Sequence, residues 1–505
     1  MSIHDEAEGF FEQCVGKINP ILVEHYYGRR MEGSADAFSI LVRVMEAHML
    51  MLYQTSIIPQ DVAKRLIGAA QRLRRRQPEL NPRLEDLYIN FEELMKREAG
   101  VTDASYLAAA RSRNDVEATM RRITLRETLF QLADTLRHLQ EILSRRAEEC
   151  KRYIMPGYTY RQQAQPQTMG HYLTAISTAL SRDIERMIDC VKRFDKSPLG
   201  CAAFAGTRFT IDRGLTAAWL GFDGLAYHSQ DGVSAADYLL EAANAAILSL
   251  HTMARFSQDI TEWCVNEVDF AELPMDLIDS SSIMPQKRNP VICATIRSYA
   301  KLLAGRYAGL CAAATVEFEA SRDCTVVSRD VMECIGLVDD MAHICAAIAD
   351  GLIFHPQVMA EALNEGFSNA TELADSLVLD GKLPFREAHK IVGAAVAELC
   401  RHRQGQDAFS HELLDSHCRK LVGRPLPLNP EEVAAAKDFS NCVERRAGCP
   451  GSASTTQVER ILILQKETRE DQARQIAMIR RRWQNGTAEM DTAIRQLIGA
   501  PTVNQ

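Results

Sequence analysis

Residues Ser280 to Pro290 read SSSIMPQKRNP, a polar, turn-rich stretch in a chain of long helical runs. Lys287 offers a fixed positive charge and Asn289 offers amide donors. Backbone N–H groups after the serines, in such a turn, can form an anion-binding nest. Together these could hold a carboxylate and stabilise developing negative charge, the work of an oxyanion site. A serine set among them loses its proton more easily than a free one and can act as a general base. The plainer alternative is a polar connector: one helix ends near Leu273–Pro274, and the next starts near Pro290 with Asn289 as its cap.

Two more stretches suit the same chemistry. In ARSRND, Ala110 to Asp115, Arg111 and Arg113 can pair bidentately with carboxylates. Asn114 and Asp115 fall at a helix start, where orphan N–H groups favour anions. A charged, N-capped helix start is the alternative there. The third stretch, PGYTYRQQAQPQTMGH, runs from Pro156 to His171 and carries Thr159, Tyr160, Gln163, Gln165 and Thr168. Alone it reads as a polar turn before a helix.

Long helices must position these stretches. Asp115 to Met155, His171 to Ser197 and Val233 to Leu273 contain neither Gly nor Pro and are rich in helix formers. Alternating strand patterns are nearly absent, so the fold class is all-α, a bundle of extended helices. The run AADYLLEAANAAILSLHTMARF is apolar or small on most faces, which predicts burial among other helices and partner chains. Breaks near Glu98 to Ala110 and His355 to Phe367 divide the chain into an N-terminal helical domain (1–110), a central bundle (111–360) carrying the loop at 278–290, and a C-terminal domain (361–505). An amphipathic helix is predicted from Val458 to Trp483.

Composition narrows the function. The 505 residues carry a net charge of −9 and 25% charged residues, which argues against nucleic-acid binding through clustered Lys and Arg. The basic run Arg72 to Arg76 reads as a solvated helix end. The 14 cysteines show no metal-ligand spacing. The acidic start lacks the features of a secretory signal, and no apolar run is long enough to span a bilayer. These features predict a cytoplasmic protein with reduced thiols and no membrane or nucleic-acid partner.

The three stretches, in this order, resemble the conserved regions of the fumarase/aspartase superfamily, and most closely its argininosuccinate lyase branch. The loop is similar to the signature Gly-Ser-Ser-x-Met-Pro-x-Lys-x-Asn-Pro. SPLGCAAFAGTRFTIDR (Ser197 to Arg213) and EGFSNATELADSLVLDGKLPFREAHKIVG (Glu365 to Gly393) extend the likeness over nearly the whole chain. The resemblance implies an all-helical, three-domain subunit in a homotetramer, with each active site assembled from three subunits. It implies anti β-elimination from a succinyl group to release fumarate, without metal or organic cofactor. Spacing to Lys287 then makes Ser281 the base that removes the Cβ proton. Lys287, Asn289 and the backbone N–H groups after Ser282 would stabilise the aci-carboxylate. Ser112, Arg113, Asn114, Thr159 and Gln165 would hold the carboxylates, with Ser282 as a further donor.

Departures from the family pattern fall on one side of the site. Ser280 stands where the family has glycine, Val291 where it has Asp, and Ala108–Ala109 where it has His-Thr. Tyr160 replaces the histidine that is the usual candidate for protonating the leaving group, so Tyr160 is the candidate acid here. Argininosuccinate lyases bind the arginine portion with a Tyr, a Gln and a Lys; here those positions are Ala320, Thr325 and Ser328. The succinyl half is kept and the leaving-group half is rewritten. That pattern resembles the ethylenediamine-disuccinate and iminodisuccinate lyases, acting on another N-substituted aspartate with Ala320 lining a roomier pocket. Argininosuccinate cleavage, nitrosuccinate-type elimination and a non-catalytic, crystallin-like relative are the alternatives.

Overall fold

The computed structural model describes residues 18–31, 35–76, 78–315, 318–319 and 322–499. After short helical turns over Pro20–Met31 come three longer helices: α1 (Ala35–Gln54), α2 (Gln60–Arg76) and α3 (Leu87–Ala99). Then come α4 (Arg113–Cys150), the hairpin β1 (Ile154–Thr159) and β2 (Gln162–Thr168), α5 (Met169–Phe194) and α6 (Asp237–Trp263). The SSSIMPQKRNP stretch is bracketed by β3 (Asp279–Ser280) and β4 (Arg288–Asn289), followed by α7 (Val291–Ala313) and α8 (Arg322–Gly351). The last part holds α9 (Pro356–Ala362), α10 (Ala370–Leu379), α11 (Phe385–Arg401), α12 (His411–Val422), α13 (Pro430–Lys437) and α14 (Thr455–Ile498). The all-α class read from composition is the observed one.

Helices α4 to α8 form the central bundle around one apolar core that includes Leu136, Ile184, Leu250, Ile296 and Ile335. The chain runs up and down in it. Arg126 of α4 meets Asp195 just past the end of α5, while Gln140 donates to Ser177 O. Thr252 of α6 donates to Asp183 of α5, and Tyr172 at the start of α5 donates to Asp259 near the end of α6. So α5 is antiparallel to α4, and α6 antiparallel to α5. Helix α8 runs with α4: its Asp350 pairs with Arg145.

A second core gathers α1 to α3 with Trp219 and Phe222, and a third is built from α10 to α13. Helix α14 joins the layers. It lies along α5, with Gln465 donating to Thr174 O and Gln472 to Ser181 O, and ends on α1, where Asp491 pairs with Arg43 at 2.6 Å. It reaches Ile498, fifteen residues past the predicted stop at Trp483. Gly486 lies inside it because α14 packs directly on backbone there: a Cβ would come 2.1 Å from Ala218 O. Two other boundaries also differ from expectation. Helix α6 stops at Trp263 rather than near Leu273, where Phe270 N–H turns back onto Trp263 O. PGYTYRQQAQPQT is a β-hairpin rather than a plain turn.

Gly221 is a sharp test of the α14 contact. It holds φ +63°, and a Cβ would sit 2.3 Å from Trp483 Cα. Gly221→Ala is expected to destabilise the protein by about 2–3 kcal/mol, read from the midpoint of urea unfolding.

Candidate active site

The ARSRND stretch is held from every side. Ser112 caps α4 in a capping box: its hydroxyl accepts the Asn114 N–H, and Asp115 Oδ1 accepts the Ser112 N–H at 2.9 Å. The other Asp115 oxygen accepts N–H bonds from Gly200 and Ala202, both at 2.9 Å. Burial pushes the Asp115 carboxyl up to about 6, against the pull of those three amide donors. Arg111 is buried, donating to Leu107 O, Tyr88 Oη and Glu92, with its guanidinium 4.7 Å over the Tyr88 ring. Asn114 donates to Ala203 O at 3.1 Å. The guanidinium of Arg113 pairs with Asp86 at 2.5 Å and Glu85 at 3.2 Å. That acidic doublet lies 27 and 28 residues upstream, too far for local spacing to link it with Arg113.

A buried histidine sets the entry to this stretch. Ala109 O can only accept, so His48 Nε2 donates to it at 2.9 Å, leaving Nδ1 without a partner among the described residues. Ala110 follows with φ +61°, the kink that turns the chain into α4. Burial, with Arg111 nearby, lowers the His48 pKa to about 3, so the ring is neutral.

The second stretch is the β1–β2 hairpin. Thr159 pairs with Gln162 across a two-residue turn in which Tyr160 and Arg161 hold φ +51° and +63°. This is the positive-φ requirement of a type I′ turn, met without glycine. Tyr160 is 99% exposed, and Thr159 and Gln165 are exposed too. Behind the tip, Gln163 donates to Ala362 O at 3.0 Å and Arg161 pairs with Glu262. Gly366 makes room for Gln163: a Cβ there would come 2.1 Å from its Oε1.

The third stretch is a loop closed by a short ladder, Asp279 opposite Asn289 and Ser280 opposite Arg288. Ser280 is not among the positive-φ residues, so this ladder position does not need the family glycine. Ser281 Oγ accepts the Met284 N–H at 3.0 Å and the Ile283 N–H at 3.4 Å. Lys287 N–H closes a turn onto Met284 O, and Ser282 is exposed at the tip. Asn289 does not cap α7; its Nδ2 donates across the ladder to Asp279 O at 3.2 Å. Lys287, Asn289 and Met284 line a cleft of about 590 Å³ with Thr261 and Cys264.

The three stretches do not meet in one chain. The 38 residues of α4 separate Ser112 from the hairpin, roughly 57 Å at 1.5 Å per residue. The loop lies at the hairpin end, since it follows α6, whose last turn holds Arg161 through Glu262. Thr325 and Ser328 lie at the opposite end, in a cleft of about 260 Å³ beside Val116 and Glu117. Ala320 lies outside the described residues.

The argininosuccinate lyase C-terminal profile matches residues 367–444, and a lyase profile matches residues 60–305. An argininosuccinate lyase of Listeria monocytogenes serotype 4b is 37% identical over 412 residues, 80% of this chain and 88% of that protein. The chain belongs to the argininosuccinate lyase family. Another member, from Archaeoglobus fulgidus, is 32% identical over 86% of this chain and 87% of its own. Among solved structures, EDDS lyase in complex with formate superposes with a TM-score of 0.83 at 24% identity, covering 96% of each chain. That likeness is one of fold. As a family member the chain is a lyase.

His48 gives the site a pH signature. A ring that ionises near 6.5 when unfolded and near 3 when folded contributes stability that is fully present above pH 6.5. That stability is lost as pH falls through this window, by about 1.4 kcal/mol per unit below 6.5. Thermal midpoints from pH 7 to pH 5 should therefore fall more steeply in the wild type than in His48→Gln.

Proposed function

We infer that the protein is a carbon–nitrogen lyase that eliminates an amine or amino acid from an N-substituted aspartate and releases fumarate. The observation that carries this reading is the setting of Ser281. Its oxygen already accepts two backbone N–H bonds, and donors to the charged form favour ionisation. Lys287 and Asn289 stand on the same loop.

In this mechanism Ser281 takes the Cβ proton of the succinyl group. The electron pair left on Cβ forms the new C=C bond, and the C–N bond breaks with its pair going to nitrogen. Lys287, Asn289 and the amides after Ser282 stabilise the aci-carboxylate. Ser112, Asn114, Thr159 and Gln165 hold the carboxylates. Arg113, engaged by Glu85 and Asp86, holds its stretch in place. Tyr160, fully presented at the hairpin tip, supplies the proton to the departing nitrogen. Since α4 keeps Ser112 from the hairpin, one site draws its stretches from different copies in a homotetramer.

Thr325 and Ser328, in place of the family's Gln and Lys, favour a leaving group other than arginine, because a site built for polar contacts loses its ligand when they go. Argininosuccinate cleavage is the second reading, favoured by the relatives that carry that name.

Loss of fumarate absorbance in the presence of amines and amino acids tests the reaction. Addition without argininosuccinate cleavage is expected; robust argininosuccinate cleavage selects the second reading. Ser281→Ala should lower the rate by about 10²–10⁴-fold, and Ser282→Ala far less. Light scattering should give the mass of four chains.

A further inference from the structure

The cleft of about 260 Å³ beside the ARSRND stretch holds Thr325 and Ser328, and the rest of its walls say what could sit against them. It opens between α1, the start of α3, the first turns of α4 and the first turns of α8. Leu41, Leu87, Met120 and Met332 give it an apolar wall, and methionines adapt to irregular apolar shapes. Its charges largely cancel. Glu85 and Asp86 are bound by Arg113, and Arg121 lies 3.6 Å from Glu117. A guanidinium entering here would have to compete with Arg113 for its carboxylates.

Three polar groups remain open. Ser328 is only 6% exposed, lines the cleft, and its hydroxyl has no hydrogen-bond partner among the described residues. Thr325, one turn earlier on α8, is half-buried, lines the same cleft and likewise has no hydroxyl partner among the described residues. Hydroxyls that open into a cleft without a protein partner can complete their hydrogen bonds with a bound molecule. Arg329 lies at the rim, exposed, and has no acidic partner among the described residues. An unpaired guanidinium at the mouth of an apolar pocket suits a carboxylate.

We propose that this cleft receives the departing amine, and that the amine is an α-amino acid with an uncharged, apolar side chain. This rests on the lyase reading above. Arg329 takes the α-carboxylate, the hydroxyls of Thr325 and Ser328 meet the polar atoms around Cα, and the side chain lies along Met120 and Met332. The methionine wall makes unbranched chains the best occupants. Each methylene buried against it raises affinity about fourfold.

The purified full-length protein, with fumarate and each of L-norleucine, L-alanine, L-arginine and n-butylamine, tests this. The kcat/KM for norleucine should exceed those for alanine and arginine at least tenfold. Arg329→Gln should shrink the advantage of norleucine over n-butylamine at least tenfold. Equal or better use of arginine, or an unchanged ratio in Arg329→Gln, overturns the proposal. Calorimetric titration of norleucine without fumarate separates the two readings. Norleucine binding that weakens in Arg329→Gln, with no turnover of any amine, keeps the cleft and sinks the lyase reading. Turnover of other amines with no norleucine binding sinks the cleft assignment alone.

Discussion

One rod sets the terms for the rest of the molecule. Helix α4 has no glycine or proline to bend it, and it carries the Ser112 stretch at one end and the hairpin at the other. A folded chain cannot shorten a helix to bring its ends together. Everything else arranges itself around that separation. Helices α5, α6 and α8 pack along the rod, and the second core gathers at the Ser112 end. Helix α14 starts beside the hairpin and finishes against α1, spanning the same distance from outside.

Each end is then stiffened by different means. At the Ser112 end the work is electrostatic and buried: Arg111 on Tyr88 and Glu92, Arg113 on the acidic doublet, Asp115 on two loop amides. At the hairpin end the ties are fewer and more exposed. Gln163 reaches the start of the C-terminal layer, Arg446 donates to Pro166 O, and the tip beyond carries Tyr160 into solvent.

Much of this was legible in the residues. Runs free of Gly and Pro give the long helices, because nothing in them competes with the helical ladder. The order of three polar stretches points to the family. What stayed hidden depended on contacts between distant parts of the chain. The acidic doublet at 85 and 86 has no local tie to Arg113, and His48 reads as one more core residue on α1. The hairpin escaped notice because its turn uses Tyr160 and Arg161 where glycine or asparagine would announce it. Helix α14 runs on through Gly486, and only the backbone of Ala218 against it explains why a residue without Cβ sits there.

The ladder that closes the SSSIMPQKRNP loop fixes the scale of any motion in it. Asp279 and Ser280 are tied to Arg288 and Asn289, so the hinge lies at the ladder and the moving part is the seven residues from Ser281 to Lys287. Such a flap reaches roughly 12 Å at half its contour length. Flap closures of this kind run on the microsecond scale and slower. Ile283, 85% exposed at its tip, is the side chain that such a stroke would bring down on whatever lies beneath.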